Sequence, residues 1–498
     1  MSSARPSPIG ATKRPYKGSS HERPQRRRGT NETSTRETGT RETGANEPST
    51  EETKLSNHDV ASPGGAPKEL IVGPAGGRAL TGRLRAPGDK SISHRALLIS
   101  ARAEGRSRIR GLSNGQDVRH TLEAVVALGA GVERSGGDLY VDGGAGRLHE
   151  PEAIVDVGNS GTGIRLLAGF VSTVDGLCVL QGDSSIAQRP MDRVAVPLRL
   201  MGAHVDGRQG GRFPPLAVRG GHLHGIEYTL PVPSAQVKSA ILFAGLGATG
   251  PTTVHETVPT RAHTEEMFAA AGADIEVHPE GAGTSVVLRP SALQATDIDV
   301  PADPSQAAFW VVAACITPGS DLVLERVYVG RGRAGFIDVL VRMGARIELV
   351  NEDTVRHTAD IHVQAGPLVA TDVGGAEVAS LIDEIPVLSV AAAFAEGTTR
   401  FSGASELRVK ETDRVATTVE LLAALGVVAE PAPDGLSVRG NGASLLSGGT
   451  VNSYGDHRIA MAGAVAALGA RGAVRVQGWD ATATSYPSFE EDMQQCLS

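Results

Sequence analysis

Aromatic residues are scarce in this 498-residue chain, at 3% of the total. Nucleic-acid modules rest on aromatic side chains that stack against bases, so no nucleic-acid partner is expected. A cationic excess is also missing. The formal net charge is −8, which gives no general attraction for polyanions, so any anion site must be a local cluster of cations. Cysteine is nearly absent: Cys178, Cys315 and Cys496 lie far apart and form no CxxC. That argues against a disulfide frame or zinc ribbon and for a reducing cytoplasm. Long apolar runs are lacking too. The most apolar stretch, AAFWVVAACI at 307–316, is too short to span a bilayer and reads as a buried helix, so no membrane partner is expected. The phosphate loop GxxxxGK[ST] is absent, and no histidine, cysteine or carboxylate spacing suits a metal.

What is present divides unevenly. Residues 1–65 are rich in Ser, Thr, Arg, Gly and Pro and carry a five-residue repeat, NETST, RETGT, RETGA, NEPST, over 31–50. Such a segment cannot bury enough apolar surface to offset its conformational entropy, so residues 1–68 are expected to form a disordered extension. Its basic opening resembles an organelle transit peptide, but the acidic repeat and the lack of an amphipathic stretch favour a tail without that role. From Glu69 onward the chain echoes itself: LGAGV (128–132), MGAHV (201–205), AGADI (271–275), MGARI (343–347) and LGVVA (425–429). Each follows a helical pattern and precedes a strand pattern, with glycine suited to the left-handed position that ends a helix. A spacing of about 70 residues exceeds a solenoid unit and fits a recurring α/β subunit.

Small polar and cationic residues gather at strand-to-helix corners. GDKSISHR (88–95) precedes an apolar helix and offers Lys90, Ser91 and Arg95, with Ser91 or Ser93 as the cap. GNSGTGIR (158–165) is a second such corner, with Arg165 one turn into its helix. In GDSSIAQRPMDR (182–193) the following proline holds Arg189 extended, a geometry suited to bidentate capture of phosphate or carboxylate. PSAQVKSA (233–240) offers Ser234, Gln236 and Lys238, and RAHTEEM (261–267) offers Arg261 and His263. SLIDEIP (380–386) embeds Asp383 and Glu384 in an apolar run, which is costly unless they are paired or functional. ELRVKETDR (406–414) is the densest charge cluster; as a helix it would set Lys410 and Arg414 on one face with Glu411 beside them. GDHRIAM (455–461) places His457 and Arg458 before another apolar helix. Each corner taken singly is also explained by a capped helix with solvated charges. Their recurrence, with two separate carboxylates, is the inventory for anionic ligands and proton transfer.

The motifs DKSISHR, GNSGTGIR, QRPMDR, PSAQVKS, LIDEIP, LRVKETDR and DHRIAM stand in the order found in the EPSP synthase family of enolpyruvyl transferases. The chain resembles that family from about residue 70 to its end. The resemblance implies an α/β fold, a two-domain inside-out α/β barrel built from six repeated βαβαββ-type units. Domain 1 would comprise 69–87 plus 302–498 and domain 2 would comprise 88–301, with crossings near Pro87 and Pro301. It further implies transfer of the enolpyruvyl group of phosphoenolpyruvate to the 5-hydroxyl of shikimate 3-phosphate, by a cytoplasmic monomer with no cofactor and no metal.

Residue by residue, the resemblance gives Lys90, Ser91, Arg95, Ser234, Ala235, Gln236, Thr260, Arg261, Asp383 and Lys410 to shikimate 3-phosphate. It gives Lys90, Gly161, Arg189, Gln236, Arg414 and Arg458 to phosphoenolpyruvate. Asp383 would be the base for the 5-hydroxyl; Glu411, assisted by Lys410, would protonate the methylene carbon, and Lys90 would reach both substrates. Several positions depart from the pattern. Ala235 stands where many members have serine, and Thr484 where many have lysine. GRGR (330–333) replaces the NPTR of the often glyphosate-tolerant group, while Gly161 is the residue usual in sensitive members. The sister transferases acting on UDP-N-acetylglucosamine carry Lys-Asn where this chain has Lys90-Ser91, and usually a cysteine in the loop that here reads DSSIAQRP. Asp89 and His94 receive no role and read as surface residues.

Overall fold

A computed structural model describes residues 68–76, 78–442 and 446–497. The extension expected to be disordered, 1–68, lies outside the described residues except for Lys68. The recurring subunit is plainest in the middle of the chain. Strand Val155–Asp156 leads to helix Gly161–Val171, strand Leu177–Gln181, helix Asp192–Leu200, and the strands His204–Gly207 and Phe213–Arg219. The first two strands pair in parallel and the last two close the sheet antiparallel. Six sheets occur among the described residues, and five of them share this βαβαββ strand order.

Pairing crosses the sequence at three places. Glu69–Val72 pairs antiparallel with Val474–Gln477, Thr81–Leu84 pairs in parallel with Asp321–Leu324, and Asp297–Asp299 pairs in parallel with Arg108–Arg110. Buried apolar side chains accordingly form two clusters. One joins Leu70–Ala86 to Ala302–Leu497, and the other holds Ile92–Val300 together with Tyr328.

Helices rather than sheets occupy the centre of each cluster. Pro304–Ile316, Ile385–Ala393 and His457–Leu468 are buried along their whole length and pack on one another. The apolar run at 307–316 is thus the buried helix that its composition predicts. In the other cluster, Lys90–Arg102 and Ala235–Gly245 both pack against Gly161–Val171. A helix that faces apolar neighbours on all sides, as Ile385–Ala393 does, reads as a continuous apolar run rather than an amphipathic stripe. The echoed glycines Gly129, Gly202, Gly272, Gly344 and Gly426 all have positive φ, between 80° and 107°, so a residue with a Cβ would be strained at each helix-to-strand corner. No described helix is long and apolar enough to cross a membrane.

Candidate active site

Five of the corners singled out by sequence are helix N-termini closed by a side-chain cap. Asp89 Oδ1 accepts from Ile92 N at 2.8 Å, Ser160 Oγ from Gly163 N at 2.9 Å and Ser234 Oγ from Val237 N at 3.3 Å. On the other cluster, Asp413 Oδ1 accepts from Val415 N and Ala416 N, both at 3.1 Å, and Asp456 Oδ1 from Arg458 N at 2.9 Å. Two expectations are corrected here. The cap of the Lys90–Arg102 helix is Asp89, not Ser91 or Ser93, because the chain is already helical from Lys90. Asp89 and His94 are fully buried rather than superficial. His94 Nδ1 lies 2.7 Å from Thr121 Oγ1 and Nε2 lies 3.3 Å from the capping Ser160 Oγ; burial first, then Lys90 and Arg95, hold this imidazole well below its ordinary pKa, hence neutral.

Asp383 is the meeting point of four cations. Its Oδ1 lies 3.2 Å from both Lys410 Nζ and Arg414 Nη1, and its Oδ2 accepts from Arg261 Nη2 at 3.0 Å. Arg458 Nη1 donates to its backbone oxygen at 3.1 Å. Burial alone would raise the Asp383 pKa, but Lys410, Arg458, Arg261 and Arg414 outweigh it and hold the carboxyl well below its ordinary value. Glu411 lies on the other side of the same guanidinium. Its Oε2 accepts from Arg414 Nη2 at 2.5 Å, and its Oε1 is 3.3 Å from Arg189 Nη2. Burial again opposes ionisation, and Arg414, then Arg189, overrides it. Arg414 is itself anchored by Asp456, through Nε at 2.7 Å and Nη2 at 3.2 Å. Lys410 and Arg414 do converge, though not on one helix face: Asp413 caps a helix that begins only at Arg414, and Lys410 is extended.

Arg189 is extended before its proline, as its sequence implies, with φ −79° and ψ 134°. Asn159 Oδ1 accepts from its Nη2 at 3.0 Å, and its buried Nε has no partner among the described residues. Gly161 makes this approach feasible, since a Cβ there would fall 2.5 Å from Arg189 Nη1 and 3.2 Å from Arg165 Nη1. Arg165 donates to Gln236 Oε1 at 2.8 Å, and burial, with Arg189 and Arg193 nearby, lowers its pKa to about 10. Lys90 Nζ is 2.9 Å from Asp117 Oδ2.

The remaining predicted residues lie deeper or serve as braces. Arg95 is buried, donating to Thr264 Oγ1, Ser239 Oγ and the Ser91 carbonyl at 2.6–2.9 Å. Ser234 is occupied as a cap and Ala235 opens the helix behind it. Thr260 bonds Glu256, which also receives Lys238 Nζ at 2.8 Å; with Glu265 at 2.6 Å, Lys238 is a buried brace. A cleft of about 420 Å³ is lined by Asp117, Asn159, Ser185, Glu411, Tyr454 and Thr484. Thr484 therefore stands in the cleft wall, where a lysine would have added a cation. Three partners were given no role by sequence: Asp117, which lies in no motif, Glu406 of ELRVKETDR, whose carboxylate is 3.2 Å from Arg193 Nη1, and Arg333 of GRGR.

Residues 74–493 match the family model described as EPSP synthase (3-phosphoshikimate 1-carboxyvinyltransferase). A 3-phosphoshikimate 1-carboxyvinyltransferase of Acaryochloris marina is 47% identical over 421 residues, covering 84% of this chain and 94% of that protein. One from Bacillus cereus is 46% identical over 430 residues, covering 86% and 99%. Among solved structures, the EPSP synthase of Acinetobacter baumannii superposes with a TM-score of 0.76 at 40% identity, over 86% of this chain and 98% of that one. The enolpyruvyl transferase NikO of Streptomyces tendae, at 20% identity and a TM-score of 0.69, shares the fold.

Proposed function

The chain belongs to the EPSP synthase (3-phosphoshikimate 1-carboxyvinyltransferase) family, and on that premise we propose how its own residues transfer the enolpyruvyl group of phosphoenolpyruvate to the 5-hydroxyl of shikimate 3-phosphate. The observation that carries the assignment of roles is the pair of carboxylates, Asp383 and Glu411, held on two nitrogens of one guanidinium, Arg414. Two carboxylates at a cationic cleft can take up one proton and, once one of them is protonated, deliver another.

Asp383 receives the 5-hydroxyl proton while the oxygen bonds to C2 of phosphoenolpyruvate, and Glu411, assisted by Lys410, protonates the methylene carbon. The tetrahedral intermediate then loses phosphate, and Glu411, left ionised by the first step, takes a proton back from the methyl group, which restores the enol ether. Glu411 is ionised as it stands, held so by Arg414 and Arg189. An anionic substrate on those two arginines weakens their hold on Glu411, raises its proton affinity and equips it as the donor. Arg189, Arg414, Arg458, Gly161 and Gln236 serve phosphoenolpyruvate. Lys90 serves both substrates. Ser91, Arg95, Ser234, Ala235, Gln236, Thr260, Arg261 and Lys410 serve shikimate 3-phosphate. The two apolar clusters support a division into 69–87 plus 302–498 and 88–301, closing over the substrates, with Arg189–Glu411, Arg193–Glu406 and Arg261–Asp383 as pairs across the cleft. Free cysteines at 178, 315 and 496 suit a reducing cytoplasm.

Phosphate release is expected only when phosphoenolpyruvate and shikimate 3-phosphate are both supplied. Turnover with a UDP-sugar in place of shikimate 3-phosphate, and none with the pair, would overturn the reading. Gly161→Ala should push Arg189 aside and raise the KM for phosphoenolpyruvate by about tenfold, roughly one charge-assisted hydrogen bond, with a smaller change for shikimate 3-phosphate. Equal changes in both KM values would remove Gly161 from the phosphoenolpyruvate site.

A further inference from the structure

The buried Asp89 and the GRGR segment lie outside the substrate contacts, and they meet. Arg333 is 2% exposed. Its Nη2 lies 2.6 Å from both Asp89 Oδ2 and Asp303 Oδ1, and its Nη1 donates to Ser305 Oγ at 2.9 Å. Asp89 and Asp303 cap the Lys90–Arg102 and Pro304–Ile316 helices, and they sit on the two segments where the chain passes between the apolar clusters. Those segments also clasp each other directly, Asp89 N to Pro301 O at 2.8 Å and Asp303 N to Pro87 O at 2.9 Å.

The network extends to the reacting groups on both sides. Asp303 Oδ2 accepts from the backbone nitrogen of Lys90 at 3.0 Å, fixing where that lysine leaves the helix. Ser305 Oγ donates to Glu384 Oε1, whose neighbour is Asp383. Glu384 lies 3.9 Å from Arg458 Nη1, the nitrogen that donates to the Asp383 carbonyl. Gly332 lies so close to Arg261 that a Cβ would stand 3.3 Å from its backbone nitrogen. One planar guanidinium with its donors spread over two nitrogens can hold such a junction, whereas an ammonium presents its donors from one compact point on a flexible stem and does not reproduce that spread.

We propose that Arg333 is a positioning residue for the enolpyruvyl transfer, fixing Lys90 and Asp383 relative to one another by joining both crossover segments to the Ser305–Glu384 relay. The inference rests on the function assigned above. Arg333 touches neither substrate; it acts through Asp303 on Lys90, and through Ser305 and Glu384 on Asp383.

Two variants test this. Arg333→Lys keeps a charge but loses the three-way junction. Ser305→Ala leaves both aspartate pairs intact and cuts only the relay to Glu384. Once Ser305 no longer donates, Glu384 draws Arg458 from the Asp383 carbonyl, leaving Asp383 facing Lys410, Arg261 and Arg414 with one cation displaced. Each variant is expected to lower kcat by roughly 10- to 100-fold, the scale of a misplaced catalytic group. In Ser305→Ala the KM for shikimate 3-phosphate should stay within about threefold of wild type, while that for phosphoenolpyruvate rises because Arg458 serves that substrate. The acid limb of kcat should appear at higher pH than in wild type, because Asp383 has lost part of its stabilisation as an anion. A purely structural defect would scale kcat with the folded fraction and leave the pH profile unmoved. The inference is overturned if Ser305→Ala keeps kcat within about twofold of wild type, or if kcat falls without a shifted acid limb. Wild-type chain in the same phosphate-release assay separates the two claims: no turnover there sinks the assigned function and this role with it, whereas normal turnover beside an unaffected Ser305→Ala sinks this role alone.

Discussion

Replacing Asp383 by alanine is expected to lower kcat by about 10²–10⁴-fold, the usual worth of a positioned general base, while shikimate 3-phosphate still binds. The second half of that expectation follows from charge. Asp383 neutralises Lys410, Arg261 and Arg414 and anchors Arg458 through its carbonyl. Removing the carboxylate leaves those cations facing the cleft, so affinity for a phosphorylated ligand should hold or rise. Initial rates with both substrates, and titration calorimetry with shikimate 3-phosphate alone, measure the two parts separately. Asp383→Asn keeps the volume and abolishes the base, so it should share the loss. The pH profile supplies a further check. Because the carboxyl is held well below its ordinary value, the base stays ionised through the neutral range, and the acid limb from this group in the free enzyme belongs below about pH 4. Retention of kcat within about tenfold in Asp383→Ala would remove the residue from proton transfer.

Local features of this fold were legible in sequence because they are set by neighbours along the chain. The helix-to-strand corners at Gly129, Gly202, Gly272, Gly344 and Gly426 announced themselves because left-handed φ restricts which residue can stand there. The buried helix at 307–316 showed in its unbroken apolar run, and the extended Arg189 in the proline that follows it. The caps were less legible. Ser91 and Ser93 both suited the cap by residue type, but the chain is already helical from Lys90, so Asp89, just before it, closes the helix. The LRVKETDR cluster suggested a helix by charge spacing, but Asp413 starts the helix three residues beyond Lys410 and turns that lysine onto Asp383 by another route. Partners brought together by the fold left no trace at all. Arg333 and Asp89 are 244 residues apart, and Arg193 and Glu406 are 213 apart. Nothing in a single sequence records which distant charge will neutralise a buried one.

Arg414→Met should be the most destabilising single change at the site. The side chain is 1% exposed and bridges three segments, with Asp456 at 2.7 Å, Glu411 at 2.5 Å and Asp383 at 3.2 Å. Breaking a buried ion pair by removing one partner costs about 3–5 kcal/mol, a large part of the roughly 5–15 kcal/mol that holds a typical protein together. Methionine fills the volume, so the loss would report charge rather than a cavity. Turnover should vanish with it, since Asp383 and Glu411 lose the guanidinium that spaces them. The pH dependence has a definite sign. In the wild type, Asp383 and Glu411 titrate below their unfolded values, so their contribution to stability is present above about pH 4 and is lost as pH falls below it. In Arg414→Met the strongest cation on Glu411 is gone, burial dominates, and its carboxyl shifts upward. The melting-temperature gap between wild type and variant should therefore be widest near neutral pH and narrow as pH falls toward about 4. A gap of constant size across that range would mean that Arg414 supports the fold by packing, and that the two carboxylates are not held as anions by its charge.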